Sequence, residues 1–251
     1  MIITSFDNPK VKLLIKLKEH KYRKKENKFI VEGKHLVKEA KELGILIEAY
    51  SIEEMEGYVT LTKDIMKKIC NTDTVVSEIG LCKIKEPNNN LTDKLLILDG
   101  IQDPGNMGAL MRSAKAFGFD TIVVGNGSCD IYNDKVIRSS QGAIFKLNFI
   151  FKDLVDFIPS LNDYDIYGTD VINGIDVKNI KYDKKIAIVL GNEGNGISDN
   201  VKQLLKKNIY IPMDNMESLN VSVAGSIIMF MLKWGISNKS SKSFEIIKLV
   251  W

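Results

Sequence analysis

The 251-residue sequence is poor in the features that mark membrane, secreted and metal-binding proteins. No apolar run approaches the roughly 20 residues that a membrane-spanning helix needs. The N-terminus lacks the basic start, apolar run and small-residue cleavage site of a signal peptide. The three cysteines, Cys70, Cys82 and Cys129, form no CxxC pair, and there are only two histidines. We therefore predict a cytoplasmic protein with free thiols, no membrane segment and no bound metal.

Charge is unevenly distributed along the chain, although the net charge is only +3. Residues 1–28 hold nine Lys or Arg against three acids, an excess of six, whereas residues 91–251 hold 18 of each and are neutral. Such a basic segment can exchange counterions with a phosphate backbone, although a solvated helix surface explains it equally well. The predicted RNA contacts in this segment are Lys10, Lys12, Lys21, Arg23, Lys24 and Lys25.

A chain of this length can fold as one large or two small domains. The segment KEPNNNLTD has a proline, three consecutive asparagines and no apolar periodicity, which is typical of a linker. We predict a small α/β domain at residues 1–86, a linker at 87–93 and a second domain at 94–251. In the second domain a strand (KLLILDG), a helix (NMGALMRSAKAFG) and a strand (DTIVVG) follow one another, which predicts an α/β fold with a parallel sheet.

Three segments of the second domain lead from a strand-like run towards a helix-like one, at residues 98–119, 190–198 and 211–230. Such turns build the ligand sites of α/β proteins. They contain five polar residues whose side chains are candidates for catalysis or binding: Asn106, Arg112, Glu193, Ser218 and Asn220.

Taken singly, each of these segments has a structural explanation as well. Gly191, Gly194 and Gly196 have the order G-x-x-G-x-G, which argues against a dinucleotide-binding loop and is compatible with a plain tight turn. Glu193 is expected to pair with Arg112, whose planar fork suits a phosphate. Asn106 and Ser218 also fit as helix N-caps.

Taken together and in this order, the three segments resemble the three motifs of the SpoU (TrmH-like) RNA ribose 2'-O-methyltransferases of the SPOUT superfamily. Asn106 and Arg112 stand where the first motif has its asparagine and arginine. GNEGNGIS matches the second motif with Glu193, and IPM and SLNVSVA match the third with Ser218 and Asn220. NPKVKLL and FIVEGKHLVKEA, near the N-terminus, resemble the family's substrate-binding domain.

The resemblance implies a homodimeric enzyme that uses S-adenosylmethionine and carries a deep trefoil knot in its C-terminal domain, behind a ribosomal-protein-like N-terminal domain. It implies that Asn106, Arg112, Glu193, Ser218 and Asn220 are catalytic, with Arg112 also touching RNA. The cofactor residues that it implies are Thr169, Leu190, Gly191, Asn192, Gly194, Ile211, Met213, Leu219 and Asn220.

The substrate is expected to be large-subunit rRNA rather than tRNA, because the N-terminal domain looks like those of rRNA-directed members. Two alternatives stay open at this point: a tRNA enzyme, and a catalytically inactive RNA-binding or assembly protein on the same fold. Arginine has a pKa above 12 and is always protonated. Our hypothesis is therefore that Arg112 grips a phosphate and stabilises charge, rather than acting as a base.

Overall fold

Two separate β-sheets organise the chain. The structure is a computed structural model that describes residues 2–71, 75–170, 174–182 and 185–234. The first sheet is mixed and has the order β1-β4-β3-β5-β2, with β5 antiparallel to both of its neighbours. Its strands are β1 (Ile2–Ile3), β2 (Lys28–Glu32), β3 (Leu46–Ser51), β4 (Tyr58–Leu61) and β5 (Glu78–Lys83).

Four helices cover this sheet: α1 (Pro9–Lys16), α2 (His20–Glu26), α3 (Lys34–Glu42) and α4 (Lys63–Ile69). A turn at residues 17–19 separates α1 from α2. The Arg23 guanidinium donates hydrogen bonds to the carbonyls of Leu17 (2.8 Å) and Lys18 (2.6 Å), directly after α1. These bonds satisfy carbonyl groups that a continuous helix would have used, so the chain turns there.

The second sheet has seven strands, and every pairing in it is parallel, as the alternating pattern predicted. Its order is β10-β12-β9-β11-β6-β7-β8. The strands are β6 (Lys94–Asp99), β7 (Thr121–Val124), β8 (Asn148–Phe151), β9 (Asp165–Thr169), β10 (Ile175–Asp176), β11 (Ile186–Gly191) and β12 (Asn208–Tyr210). The central strands β6 and β11 are buried along almost their whole length, as expected of a sheet covered on both faces.

Five helices flank the second sheet: α5 (Pro104–Phe117), α6 (Asp134–Ser140), α7 (Leu154–Phe157), α8 (Asp199–Lys202) and α9 (Val221–Trp234). Gly118 ends α5 in the left-handed conformation, as predicted. The sequence pattern missed α6 and β8, which complete the side of the sheet that faces the first unit. None of the helices in the described ranges is long and apolar enough to cross a membrane.

The two sheets are joined by a continuous apolar core. Phe29 of β2 lies 4.9 Å from Tyr132 and 6.3 Å from Phe145, measured between ring centroids. Buried residues of both sheets belong to the same apolar cluster. The first unit is therefore packed against the second, rather than tethered to it by the connecting segment alone.

Arg23 is part of this junction, and its prediction as an RNA contact is wrong. Its residue surface is only 6% exposed. The guanidinium bonds Asp130 of the second unit through Nε at 2.9 Å and Nη2 at 2.5 Å, and His20 lies 2.9 Å from the same carboxylate. Burial by itself raises the pKa of the Asp130 carboxyl, but hydrogen bonds from His20 and Arg23 outweigh it and hold that pKa below its usual value. A phosphate could reach Arg23 only by breaking this junction.

Replacing Arg23 with alanine should lower the free energy of unfolding by about 3 kcal/mol, because Asp130 would remain half-buried without its main partner. Urea unfolding at pH 7 measures this change. Lys25→Ala, two residues away and exposed, is the matched control and should stay within about 0.5 kcal/mol of wild type. Equal stability of the two variants would show that the Arg23 pair does not hold the units together.

Candidate active site

Three loops meet at the carboxyl edge of the second sheet. The register pairs Gly191 at the end of β11 with Asp99 at the end of β6, so the loops that follow these strands start side by side. The backbone N–H of Ser198 donates to the Asp99 carboxylate at 2.7 Å, and Asn192 donates to the carbonyl of Gly100 at 2.8 Å. The glycine-rich loop is thus fixed to β6 at both of its ends.

Glu193 is the acceptor that joins these loops. Its carboxylate accepts from the backbone N–H groups of Gln102 (3.1 Å) and Asp103 (3.0 Å) and from the Asn106 side chain (3.1 Å). Partial burial raises the pKa of Glu193, but the hydrogen bonds from Asn106, Asp103 and Gln102 outweigh it, and the pKa lies below its usual value. Glu193 is therefore an ionised carboxylate whose lone pairs are already engaged.

The chain of contacts continues into the third loop. The Asn106 side-chain oxygen accepts a hydrogen bond from the Asn220 amide at 3.0 Å. The Asn220 oxygen in turn accepts from the backbone of Ser222 at 2.9 Å and of Val223 at 3.3 Å, so it caps α9. Glu193, Asn106 and Asn220, one from each segment, form a single hydrogen-bonded series.

Two expectations about helix caps need correction. Asp103 rather than Asn106 caps α5: its carboxylate accepts from the Asn106 backbone at 2.9 Å. Asn220 rather than Ser218 caps α9, because α9 begins at Val221 and Ser218 lies too early in the chain. Ser218 is exposed in the loop that precedes the helix.

The predicted pair between Glu193 and Arg112 is also wrong. Arg112 is exposed and makes no hydrogen bond or ion pair within the part of the chain that the structure describes. Six residues at 100° each place Arg112 about 120° around α5 from Asn106, on another side of the helix. No group of the described residues therefore occupies its guanidinium.

Gly191 allows the glycine-rich loop to pack closely against its own backbone. A Cβ on Gly191 would lie 2.1 Å from both the carbonyl carbon of Gly196 and the nitrogen of Ile197. The loop returns on itself through paired hydrogen bonds between Asn192 and Gly196, both 2.9 Å long. The close approach that requires glycine here is thus to the protein's own backbone. Gly194 is different, because the nearest atom to its Cβ position is 3.6 Å away.

A cavity of about 540 Å³ lies between the glycine-rich loop and the loop before α9. All nine residues that the sequence assigned to the cofactor line it, together with Glu193 and Ser218. Asn106 and Arg112 do not line it. The sequence missed Asp170, Lys202 and Tyr210, which also line the cavity. Asp170 and Tyr210 were foreseeable, since they follow or end strands β9 and β12 at the same edge of the sheet.

The lysines predicted to contact RNA lie exposed on α1 and α2. Three of them form ion pairs: Lys10 with Glu48 at 2.5 Å, Lys12 with Asp7 at 2.8 Å and Lys21 with Glu19 at 2.8 Å. Lys24 and Lys25 have no such partner within the described residues. Exposed ion pairs contribute little stability, so a phosphate can replace their carboxylates at small cost. Within the described ranges, no three His, Cys, Asp or Glu side chains are grouped as metal ligands.

Gly191→Ala should lower the free energy of unfolding by about 1–3 kcal/mol, because the new methyl group meets backbone atoms that have to move. Gly194→Ala is the matched control, since its methyl group makes only an ordinary van der Waals contact, 3.6 Å from the Asn192 side chain, and the stability should stay near wild type. Thermal unfolding of both variants tests this difference. If Gly191→Ala were as stable as Gly194→Ala, the loop would not have the tight return described.

Comparison with known proteins agrees with this geometry. The model of the SpoU rRNA Methylase family matches residues 93–230, and that of the MRM3-like substrate binding domain matches residues 8–77. Over 245 residues the chain is 34% identical to the 23S rRNA (guanosine(2553)-2'-O)-methyltransferase RlmP of Bacillus subtilis (strain 168), a match that covers 92% of this chain and 98% of that protein.

Solved structures share the fold over most of the chain. A crystal structure of an RNA 2'-O ribose methyltransferase superimposes with a TM-score of 0.77 at 27% identity, covering 92% of this chain and 97% of that one. An AdoMet-bound rRNA methyltransferase from Sinorhizobium meliloti has the same fold, with a TM-score of 0.81 at 24% identity and coverage of 92% and 96%. The chain belongs to the SpoU rRNA methylase family, the S-adenosylmethionine-dependent RNA 2'-O-methyltransferases.

Proposed function

We propose that the enzyme transfers the methyl group of S-adenosylmethionine to a ribose 2'-hydroxyl of large-subunit ribosomal RNA. The observation that carries this proposal is the hydrogen-bonded series Glu193–Asn106–Asn220 beside a cavity of cofactor size. The preference for ribosomal RNA rests on the identity with a 23S rRNA enzyme over 92% of the chain. A place in the cytoplasm, where ribosomes are modified, follows from that substrate.

The cavity suits the cofactor by size and chemistry. Its volume of about 540 Å³ lies within the usual range for small-ligand sites. Leu190, Ile211 and Leu219 offer an apolar surface for an adenine ring, and the loop at Gly191 and Gly194 offers backbone polar groups close by. When bound, S-adenosylmethionine supplies an electrophilic methyl group on its sulfonium sulfur.

The protein's own contribution is positioning. Methyl transfer requires the ribose oxygen to approach in line with the bond that breaks, and correct placement supplies much of the acceleration. Glu193 acts as a positioning residue: it fixes the Asn106 carboxamide, which fixes Asn220 at the edge of the cavity. Ser218 and Asn220 are exposed there and are the residues that we assign to the ribose.

Arg112 is proposed as the phosphate clamp. It is exposed and has no partner within the described residues, so its five donors are available to RNA. The guanidinium stabilises the charge that develops on the ribose oxygen rather than removing the proton, which passes to water as the oxygen–methyl bond forms and the methyl–sulfur bond breaks. The structure changes one part of our hypothesis: Glu193 does not pair with this side chain.

The proposal extends to the organisation of the chain. Residues 1–86 would bind RNA through Lys10, Lys12, Lys21, Lys24 and Lys25, residues 87–93 would connect, and residues 94–251 would form the knotted methyltransferase domain. We also propose a homodimer that covers α9, where three apolar side chains are more than a third exposed: Val223, Phe230 and Trp234.

Glu193→Gln should reduce methyl transfer by about 10²-fold, because an amide cannot accept all three hydrogen bonds and Asn106 would shift. Tritium transfer from labelled S-adenosylmethionine into unmodified rRNA and tRNA, offered separately, measures the rate. Binding of S-adenosylhomocysteine, followed by calorimetry, should change little.

Glu56→Gln makes the same change at an exposed position of the first unit and should leave the rate unchanged. Label in tRNA alone would move the substrate assignment to tRNA. Cofactor binding without label in either RNA, also when ribosomal particles are offered, would favour an RNA-binding or assembly protein on this fold.

Arg112→Lys keeps the positive charge and loses the planar fork. We expect kcat to fall about tenfold or more, with an unshifted pH profile and unchanged cofactor binding. Arg138→Lys is the control for the substitution itself, since Arg138 pairs with Asp134 at 2.8 Å. Near-wild-type turnover with a shifted pH profile in Arg112→Lys would contradict the clamp and identify a group that titrates.

A further inference from the structure

A second cavity, of about 860 Å³, lies between the two units. One wall is α2 of the first unit, with His20, Lys24 and Asn27. The other walls are the segment 124–132, which follows β7, and residues 151–153 at the end of β8. We call this cavity the interdomain cleft. Cavities between domains are a common location for ligands.

The interdomain cleft is positively charged and has an aromatic edge. Lys24 and Lys152 line it, and neither side chain has a partner within the described residues. Phe151 is 53% exposed there. The lining holds three cations, Arg23, Lys24 and Lys152, against the carboxylates of Asp130 and Asp153, an excess of one positive charge. Asp130 pairs with Arg23, and Asp153 accepts from the neutral amide of Asn126 at 3.0 Å.

The lining also contains an unsatisfied polar atom. The Oγ of Ser128 is buried and makes no hydrogen bond in the described part of the chain. Buried hydroxyl groups normally have a partner. The Ser128 Oγ is closed off from solvent, so the groups that can meet a ligand are the two ammonium groups, which have no partner among the described residues, and the exposed aromatic ring. These are groups that bind a nucleotide: the cations meet the phosphate and the ring stacks on the base.

The position of the interdomain cleft relative to the active site indicates which nucleotide of the RNA it would bind. The cofactor cavity lies at the ends of β9 and β11, on one side of β6 in the sheet. The interdomain cleft lies at the ends of β7 and β8, on the other side of β6. Strands β11 and β7 are separated by two strand spacings, roughly 10 Å. A single strand of RNA can therefore engage both cavities at once.

The two cavities are also joined through the backbone of the loop that follows β6. The N–H of Cys129, in the cleft, donates to the carbonyl of Ile101 at 2.8 Å. Ile101 directly precedes Gln102 and Asp103, whose N–H groups hold the Glu193 carboxylate. The floor of the interdomain cleft is thus fixed to the segment that positions the catalytic loop.

We propose that the interdomain cleft binds an unpaired nucleotide of the substrate RNA next to the methylated one, with Phe151 stacking on its base and Lys24 and Lys152 contacting its phosphate. This inference rests on the proposed function, since the ligand is a part of the same RNA. It assigns recognition of the sequence around the target to residues of both units.

The test uses full-length protein and in vitro transcribed large-subunit rRNA. Phe151→Ser should raise the KM for RNA about tenfold or more, the usual effect of removing a stacking residue, with kcat and S-adenosylhomocysteine binding unchanged. Lys152→Gln should weaken RNA binding and reduce the slope of log K against log salt by about one. Thermal unfolding of both variants checks that they are folded.

Phe6→Ser and Lys67→Gln are matched controls, since both residues are exposed in the first unit and outside the cleft. They should leave the KM and the salt slope unchanged. If wild type methylates the RNA and the cleft variants behave like these controls, the cleft proposal is overturned while the enzymatic function stands. If wild type binds RNA but methylates none, also when ribosomal particles are offered, the proposed function fails, and the binding constants of the variants still decide whether the cleft holds a nucleotide.

Discussion

The carboxylate of Glu193 is the acceptor on which the geometry of the site depends. Three donors from the loop after β6 and from α5 converge on it, and they keep it ionised against the effect of partial burial. Charged hydrogen bonds of this kind are stronger than neutral ones. Their consequence is that Asn106, and through it Asn220, has a fixed orientation before any ligand binds. The ordering that methyl transfer needs is thus achieved during folding rather than during the reaction.

Close packing at two glycines, Gly108 and Gly225, fixes the position of α5, which carries the Asn106 donor to Glu193. A Cβ on Gly108 would lie 2.8 Å from the backbone nitrogen of Ser140, so α5 and α6 approach each other closely. A Cβ on Gly225 would meet Leu110 and Leu190 at 2.6 Å, which holds α9 against α5 and β11. Because α5 is held on both sides in this way, Asn106 cannot move far from the carboxylate that it donates to. Small residues that do not line the cavity therefore contribute to the precision of the site.

The order of strands and helices in the sequence predicted the parallel sheet, and the turns at the strand ends predicted a ligand site there, because both depend on local patterns of buried runs and glycines. The assignment of that site to the cofactor, with its nine residues, came from the resemblance to the SpoU family. Arg23 was mispredicted because a sequence shows that a residue is basic but not that Asp130, 107 residues away, removes it from solvent. The Arg112 error was avoidable, since helical phase alone separates Arg112 from Asn106. Asn220 and Ser218 are both good capping residues, and only the observed start of α9 distinguishes them. The interdomain cleft was not predictable, because its walls come from elements far apart in the chain.

The two requirements of such an enzyme, a rigid site and an adaptable grip on RNA, are met by different kinds of interaction. At the site, the hydrogen bonds from Asn106 to Glu193 (3.1 Å) and from Asn220 to Asn106 (3.0 Å) act over one contact distance. On α1 and α2, the proposed RNA contacts are exposed lysines, which would act through charge that salt screens over about 8–10 Å at moderate ionic strength. Under that proposal, phosphates would replace carboxylate partners such as Glu48 and Asp7 at little cost. Arg23, which has the same charge, is buried and holds the two units together. Burial therefore separates the basic residues near the N-terminus that we propose for RNA from the one that joins the units.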